Sequence, residues 1–339
     1  MAKEIELLIT LPFSEEMLLK LRNVSPRIHI TTRAARTAEE ISGEVWEKAE
    51  ILYTDRVLPT PAQAANLRWI QFHHAGIDFA VDSPIFQREN LAVTTLSGTA
   101  TSQMAEYILM MILSMGHRLP EMIHAQESAL WPADRWERFS PLELRYATVG
   151  LVGYGSVGRQ VARLLQPFGC RVLASKRDAM HPEDLGYTPQ GMGDPLGDFF
   201  HRLYPGQALK SMLKECDFIV ITLPLTEETR GLIGEAELEV CKPHAMIINP
   251  SRGEIIQDAA LIKALQEHTI GGAALDVFDQ EPLPADNPLW KLPNVLITPH
   301  ISGNSPHYNE KAVELFADNL NRYCSGQSLL NLFDRQRGY

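Results

Sequence analysis

Ala147-Thr148-Val149-Gly150-Leu151-Val152-Gly153-Tyr154-Gly155-Ser156-Val157-Gly158-Arg159 is the stretch that decides the fold. A β-branched apolar run enters it, and a helical pattern, Gln160-Val161-Ala162-Arg163-Leu164-Leu165, leaves it. Between them Gly153, Gly155 and Gly158 stand at G-x-G-x-x-G spacing. Gly153 permits the tight turn out of the strand, Gly155 lets a pyrophosphate approach the backbone, and Gly158 lets the helix pack closely on the strand. The helix start at Ser156 and Val157 then turns free N–H groups and a positive dipole end towards the phosphates. Glycine-rich turns that bind nothing have the same spacing, but a strand before and a helix after point to a dinucleotide site.

Further apolar runs follow at residues 171–174, 218–222, 245–248, 272–275 and 295–298, as expected of a doubly wound parallel sheet. Upstream, runs at 4–10, 28–31, 51–53, 69–72 and 92–95 alternate with helical patterns at 14–21, 38–49 and 61–65. This alternation predicts a second parallel sheet with helices on both faces. Ser14 is placed to cap the first helix. A long apolar helix is expected over 103–116, followed by a polar link containing Trp131 and Trp136. A last helix, about 309–323, has no partner strand and is expected to pack back on the first domain. The fold expected is α/β, two doubly wound parallel-sheet domains with a cleft between them. One is a Rossmann nucleotide-binding domain over 103–305, and the other a flavodoxin-like substrate domain built from 1–102 and 306–339. Residues 179–207, with Pro182, Pro189, Pro195, Pro205 and several glycines, read as an inserted surface excursion. A lid, a subunit contact and a neutral insertion are all open readings of it.

Bulk properties narrow the partners. The chain has 339 residues, enough for two domains with ample core. A formal net charge of -11 argues against nucleic acid or an anionic membrane as the main partner. Cys170, Cys216, Cys241 and Cys324 form no C-x-x-C pair, so neither a zinc knuckle nor a redox pair is indicated, and no metal is expected. Cys170 and Cys216 lie in strand-like contexts and read as buried thiols. The N-terminus does not read as a secretory signal. The apolar stretch at 107–115 falls short of the ~20 residues that span a bilayer. A cytoplasmic enzyme fits.

Three clusters in the second half each place a polar group at a strand end. Asn249-Pro250-Ser251-Arg252-Gly253 follows one strand, and the planar fork of Arg252 suits a carboxylate. Ala274-Leu275-Asp276-Val277-Phe278-Asp279-Gln280-Glu281-Pro282 follows the next, with Asp276 able to reach a cofactor. Ile297-Thr298-Pro299-His300-Ile301-Ser302-Gly303 follows a third, and histidine is the side chain best suited to exchange a proton near neutral pH. Each residue alone has a plainer reading, as a surface arginine, a solvated acid or a structural histidine. Three strand ends of one sheet supplying Arg, Glu and His favour a catalytic set.

These four motifs, in this order and spacing, resemble the D-isomer-specific 2-hydroxyacid dehydrogenases over nearly the whole chain. Ala75-Gly76-Ile77-Asp78, Met104-Ala105-Glu106, the run from Pro224 through Thr229, and Pro288-Leu289-Trp290 add to the resemblance. It implies that Arg252 binds the substrate carboxylate and polarises the keto oxygen. His300 exchanges a proton with that oxygen as hydride moves between nicotinamide and substrate, and Glu281 orients His300 and keeps it protonated for reduction. The backbone around His74, Ala75 and Gly76 cradles the substrate carboxylate, and Asp276 meets the nicotinamide end. Leu223, Pro224, Thr229, Pro250, Ser251, His300, Ser302 and Gly303 join the glycine motif on the cofactor side. The substrate implied is a small 2-keto or 2-hydroxy acid of the glyoxylate or hydroxypyruvate type, and the assembly a homodimer, with the 104–115 helix and the tryptophan arm as the interface.

Two positions depart from the family pattern. NAD-dependent members place an aspartate at the end of the second strand to hold the adenosine ribose hydroxyls. Here Lys176 stands there, within Ser175-Lys176-Arg177. These cations, with Ser175 as an added donor, suit the 2′-phosphate of NADP(H), with NAD(H) the alternative. His73-His74 stands ahead of Ala75-Gly76, either narrowing the substrate site or packed away from it. A phosphoglycerate dehydrogenase and a dinucleotide-sensing, corepressor-like binding protein are the competing functions.

Overall fold

The computed structural model describes residues 4–184 and 186–339. The chain divides into two compact units, Met1–Thr99 with Ser305–Tyr339, and Ala100–Asn304. In the first unit β1 (Ile5–Ile9), β2 (Ile28–Thr32), β3 (Ile51–Thr54), β4 (Trp69–Phe72) and β5 (Ala92–Thr94) form a parallel sheet in the order β2-β1-β3-β4-β5. The strands β3 and β4 are buried throughout, as an apolar run covered on both faces must be. Helix α1 (Glu15–Arg22) starts where Ser14 accepts the Met17 N–H at 3.3 Å. The C-terminal helix Tyr308–Cys324 belongs to this unit, with Val313, Phe316 and Leu320 packed among Ile5, Leu7, Leu18 and Leu21.

Two local expectations fail here. The helix expected over 38–49 is broken into a 3-10 turn, Ala38–Glu40, and α2 (Gly43–Lys48). Ile41 between them is extended and buried, because its side chain joins the core rather than continuing the helix. The helix expected over 61–65 is a turn, closed by Thr60 and Gln63 hydrogen-bonding each other, and too short to propagate.

In the second unit α3 (Thr101–Gly116), α4 (Leu119–Glu127) and α5 (Arg135–Arg138) precede β6 (Thr148–Val152) and α6 (Ser156–Leu165). The link expected after residue 116 therefore begins as a helix, with Pro120 in the first turn, where its missing N–H breaks no helical bond. There follow β7 (Arg171–Lys176), β8 (Arg202–Pro205), α7 (Leu209–Leu213), β9 (Phe218–Ile221), α8 (Glu235–Leu238), β10 (Met246–Asn249), α9 (Asp258–Gln266), β11 (Gly272–Leu275) and β12 (Val295–Ile297). All seven strands are parallel, in the order β12-β11-β10-β9-β6-β7-β8. Two clusters cover the sheet, one with α7 and α9 and one with α3 and α6.

The excursion expected over 179–207 is corrected at its end. Residues 202–205 are the edge strand β8, with Leu203 opposite Ala174 and Tyr204 opposite Ser175. Tyr204 is buried and anchors that strand. The loop proper is 177–201. Cys216 is buried against Gly150, where an added Cβ would fall 2.3 Å from its sulfur. Burial pushes Cys170 up to about 11 and Cys216 to about 12, so neither is a reactive thiol.

Candidate active site

The glycine motif lies in the turn from β6 into α6, and its glycines differ in what they tolerate. Gly153 has φ +104°, and a Cβ there would sit 2.7 Å from the Thr222 carbonyl. A Cβ on Gly158 would sit 2.4 Å from the Gly153 carbonyl, so helix and strand close on each other. Gly155, the N-cap of α6, has nothing within 4 Å of a built Cβ. That open face, beside a helix start at Ser156 and Val157, is the cradle a pyrophosphate needs. The residues therefore fit a dinucleotide. On the next strand, Leu223 and Pro224 follow β9, and the Thr229 hydroxyl donates to the Pro224 carbonyl at 2.7 Å, closing that loop.

The catalytic candidates come from three neighbouring strand ends. After β10, Asn249 accepts from the Ser251 N–H and hydroxyl at 3.1 and 2.7 Å, and donates to the Arg252 carbonyl at 2.9 Å. This fixes the turn that presents the half-buried Arg252, whose guanidinium also donates to the Ser251 carbonyl at 2.8 Å. After β11, Glu281 folds back to accept the Phe278 N–H at 3.0 Å. The two loops touch: a Cβ on Gly253 would fall 2.0 Å from the Phe278 carbonyl carbon and 2.4 Å from the Asp279 nitrogen. After β12, His300 takes a left-handed φ of 52° and places Nδ1 2.7 Å from the second carboxylate oxygen of Glu281. The pair is half-exposed, and Nε2 is the ring nitrogen that Glu281 does not occupy.

Asp276 is fully buried. Its carboxylate accepts from the Thr298 hydroxyl at 2.6 Å and from the Ile301 and Ser302 N–H groups at 2.9 and 2.8 Å. It shapes the His300 loop. Ser251 and Ser302 are likewise buried and act in these turns, and Pro250 is buried beside them. The Gly303 carbonyl accepts from Gln103 at 3.0 Å, and Thr298 is hydrogen-bonded to the Tyr107 hydroxyl at 2.7 Å, so α3 braces the same loop. Sequence reading missed Asn249, Thr298 and Tyr107. The asparagine beside Pro250 was the one available signal.

At the far end of the motif, Ser175 closes on the glycine turn. It is buried, and its carbonyl accepts the Gly153 N–H at 3.2 Å. Lys176 is half-buried and its ammonium donates to the carbonyls of His181 and Glu183. Arg177 pairs with Glu228 at 2.8 Å.

In the first unit, His73 is packed away: its ring meets Phe13, Tyr53 and Tyr308, and Nδ1 is bonded to the Tyr53 hydroxyl at 2.7 Å. Burial and repulsion from His74 lower it to about 4. His74 pairs with Asp55. Ala75 is exposed, and among the described residues its N–H and that of Gly76 meet no acceptor.

A family model for the NAD-binding domain of D-isomer specific 2-hydroxyacid dehydrogenases matches residues 109–302. A glyoxylate reductase of Aeropyrum pernix is 32% identical over 92% of this chain and 96% of its own length. A glyoxylate reductase of Thermococcus litoralis is 33% identical over 80% of this chain and 78% of its own. A solved D-isomer specific 2-hydroxyacid dehydrogenase from Xanthobacter autotrophicus, in complex with NADPH and MES, superimposes with a TM-score of 0.80 at 27% identity, covering 100% of both chains. The chain belongs to the D-isomer specific 2-hydroxyacid dehydrogenase family. It is an NAD(P)-dependent oxidoreductase acting on the CH–OH group of 2-hydroxy acids, or in reverse on 2-keto acids. No helix among the described residues is long and apolar enough to cross a membrane.

Proposed function

We propose that this chain is a 2-keto acid reductase of the glyoxylate/hydroxypyruvate type that prefers NADP(H) and accepts NAD(H). The observation that carries the reading is the His300–Glu281 pair, held at 2.7 Å beside a loop that presents Arg252. The similar glyoxylate reductases and the NADPH-bound relative support it. The bound nicotinamide supplies the hydride. Arg252 grips the substrate carboxylate with its planar fork and polarises the keto oxygen. His300, its Nδ1 occupied by Glu281, gives the Nε2 proton to that oxygen and recovers it in the oxidative direction. Lys176 and Arg177 serve the adenosine end.

A homodimer is part of the reading. It is supported by an arm that exposes Met122, Ile123, Leu130, Trp131, Trp136 and Tyr146. Four free cysteines support a reducing, cytoplasmic setting.

Initial rates with glyoxylate, hydroxypyruvate and phenylpyruvate, each with NADPH and NADH, test the proposal. Reduction of the first two, faster with NADPH and abolished by His300→Ala, is the expected result. Tight cofactor binding without turnover of any keto acid would overturn it in favour of a sensor.

A further inference from the structure

Arg159, the residue after the last motif glycine, is buried to 1% exposure on α6. Its Nε lies 3.3 Å from Asp184, and its terminal nitrogens donate to the carbonyls of Asp194 and Pro182, each at 2.5 Å. The guanidinium lies 4.7 Å from the centre of the Tyr154 ring, and Tyr154 is the residue between the first two motif glycines. The Tyr154 hydroxyl donates to Asp194 at 2.5 Å. Asp194 also accepts the N–H groups of Gly197, Asp198 and Phe199. Its burial acts to raise it, but these donors prevail and hold it below the usual carboxylate range. Gln160 adds a bond to the Gly193 N–H at 2.7 Å. Two motif-flanking side chains and the start of α6 thus fasten loop 177–201 to the nucleotide turn. A buried arginine whose side-chain hydrogen bonds and ion pair all go to one loop is costly unless that loop stays in place.

The fastening decides what surrounds Lys176. Two of the three ammonium donors go to the carbonyls of His181 and Glu183. The next carboxylate along, Asp184, is held by Arg159 with 27% of its side chain exposed. Asp178, on the other side, is held by His181 at 2.6 Å. Burial and then Arg159 push the Lys176 ammonium below its ordinary value, and Asp184, Glu183 and Asp178 act against them. Arg177 is already paired with Glu228. The Lys176 half of the cationic step visible in Ser175-Lys176-Arg177 therefore lies among acids of the loop, while the Arg177 half is paired by Glu228 from outside it.

We propose that loop 177–201 is a working part of the adenosine subsite. Its carbonyls aim the Lys176 ammonium, and the carboxylates of Glu183 and Asp184 damp its pull on a 2′-phosphate. The chain accordingly discriminates only modestly between phosphorylated and unphosphorylated adenosine ribose. Glu183 and Asp184 are the specificity-setting residues. This rests on the cofactor half of the proposed function and not on the keto acid.

The test is calorimetric titration of the protein with 2′,5′-ADP and with 5′-AMP, fragments that lack nicotinamide and so read the subsite without turnover. The wild type is expected to bind 2′,5′-ADP up to about tenfold more tightly than 5′-AMP. Glu183→Gln, which leaves the Arg159 contacts intact, is expected to widen that ratio about threefold to fivefold, and Asp184→Asn further, with 5′-AMP affinity unchanged. Unchanged ratios in the variants, or a wild-type ratio above about a hundredfold, overturn the proposal. If Asp184→Asn loses its thermal transition, Glu183→Gln alone decides. A protein that turns over no keto acid yet shows these fragment ratios would sink the substrate reading and leave this one standing.

Discussion

Asp276 carries the loop on which His300 is mounted. Its carbonyl accepts the His300 N–H at 2.9 Å, while its carboxylate accepts the next two N–H groups, of Ile301 and Ser302. These bonds hold the left-handed backbone at His300, a conformation uncommon for a residue with a side chain. The orientation of the His300 imidazole is thus set from beneath by a buried carboxylate and from the side by Glu281.

Asp276→Asn replaces one acceptor oxygen with a donor facing backbone N–H groups. It is expected to cost about 1–3 kcal/mol of stability. The kcat should fall about 10- to 100-fold, because a misplaced imidazole transfers its proton poorly. Cofactor affinity, measured by fluorescence titration, should hardly change. A large loss of cofactor binding with normal kcat would show Asp276 touching the nicotinamide after all.

Glu281→Ala and His300→Ala should not add. Each removes part of one device, and His300→Ala alone is expected to cost about 10²- to 10⁴-fold in kcat. The double variant should be no slower than His300→Ala, as residues in direct contact couple strongly. Independent, additive losses would show Glu281 acting somewhere other than on His300.

The motif glycines should separate binding from folding. Gly155→Ala adds a methyl group into open space and should melt like the wild type while weakening NADPH binding. Gly158→Ala drives a methyl into the Gly153 carbonyl, 2.4 Å from its built position, and should lower the melting temperature as well. Equal stability loss in both would refute the assignment of Gly155 to a ligand face.

His73 makes the fold sensitive to mild acid. The folded chain keeps it neutral down to about 4, whereas the unfolded chain takes the proton near 6.5. Between those values the unfolded state binds more protons, so stability falls as pH drops through the window, by up to about 3 kcal/mol. Urea melts of His73→Gln should show a shallower decline from pH 7 to 4 than the wild type. Parallel curves would rule the histidine out as the cause.

Trp136 is 83% exposed on the arm after α4. If that arm is a subunit interface, Trp136→Ala should reduce the mass found by light scattering at low protein concentration. An unchanged dimer removes this residue from the interface.

Much of this was readable from residue order. The glycine motif follows one apolar run and the three strand-end clusters follow three later, consecutive ones, whose apolar content leaves little choice but buried parallel strands, and their polar residues then fall at one edge. Inward-turning polar groups were harder to read. Nothing in the letters shows that the Asp276 carboxylate meets three donors within its own sheet edge. Ser175 likewise follows the cofactor pattern by position and is buried by its neighbours. Loop 177–201 was opaque for a different reason. Proline and glycine report that regular structure stops, but its order comes from Arg159 and Tyr154, well before it in the chain. The edge strand β8 was hidden in the same stretch because four residues beside prolines carry too little periodicity to stand out.

Gly253 leaves no room for a methyl group between the turn that carries Arg252 and the backbone at Phe278 and Asp279. The turn that carries Arg252 and the loop that carries Glu281 therefore sit like two parts cut to one gauge: any side chain at residue 253 must push them apart, and the spacing between Arg252 and the His300–Glu281 pair moves with it.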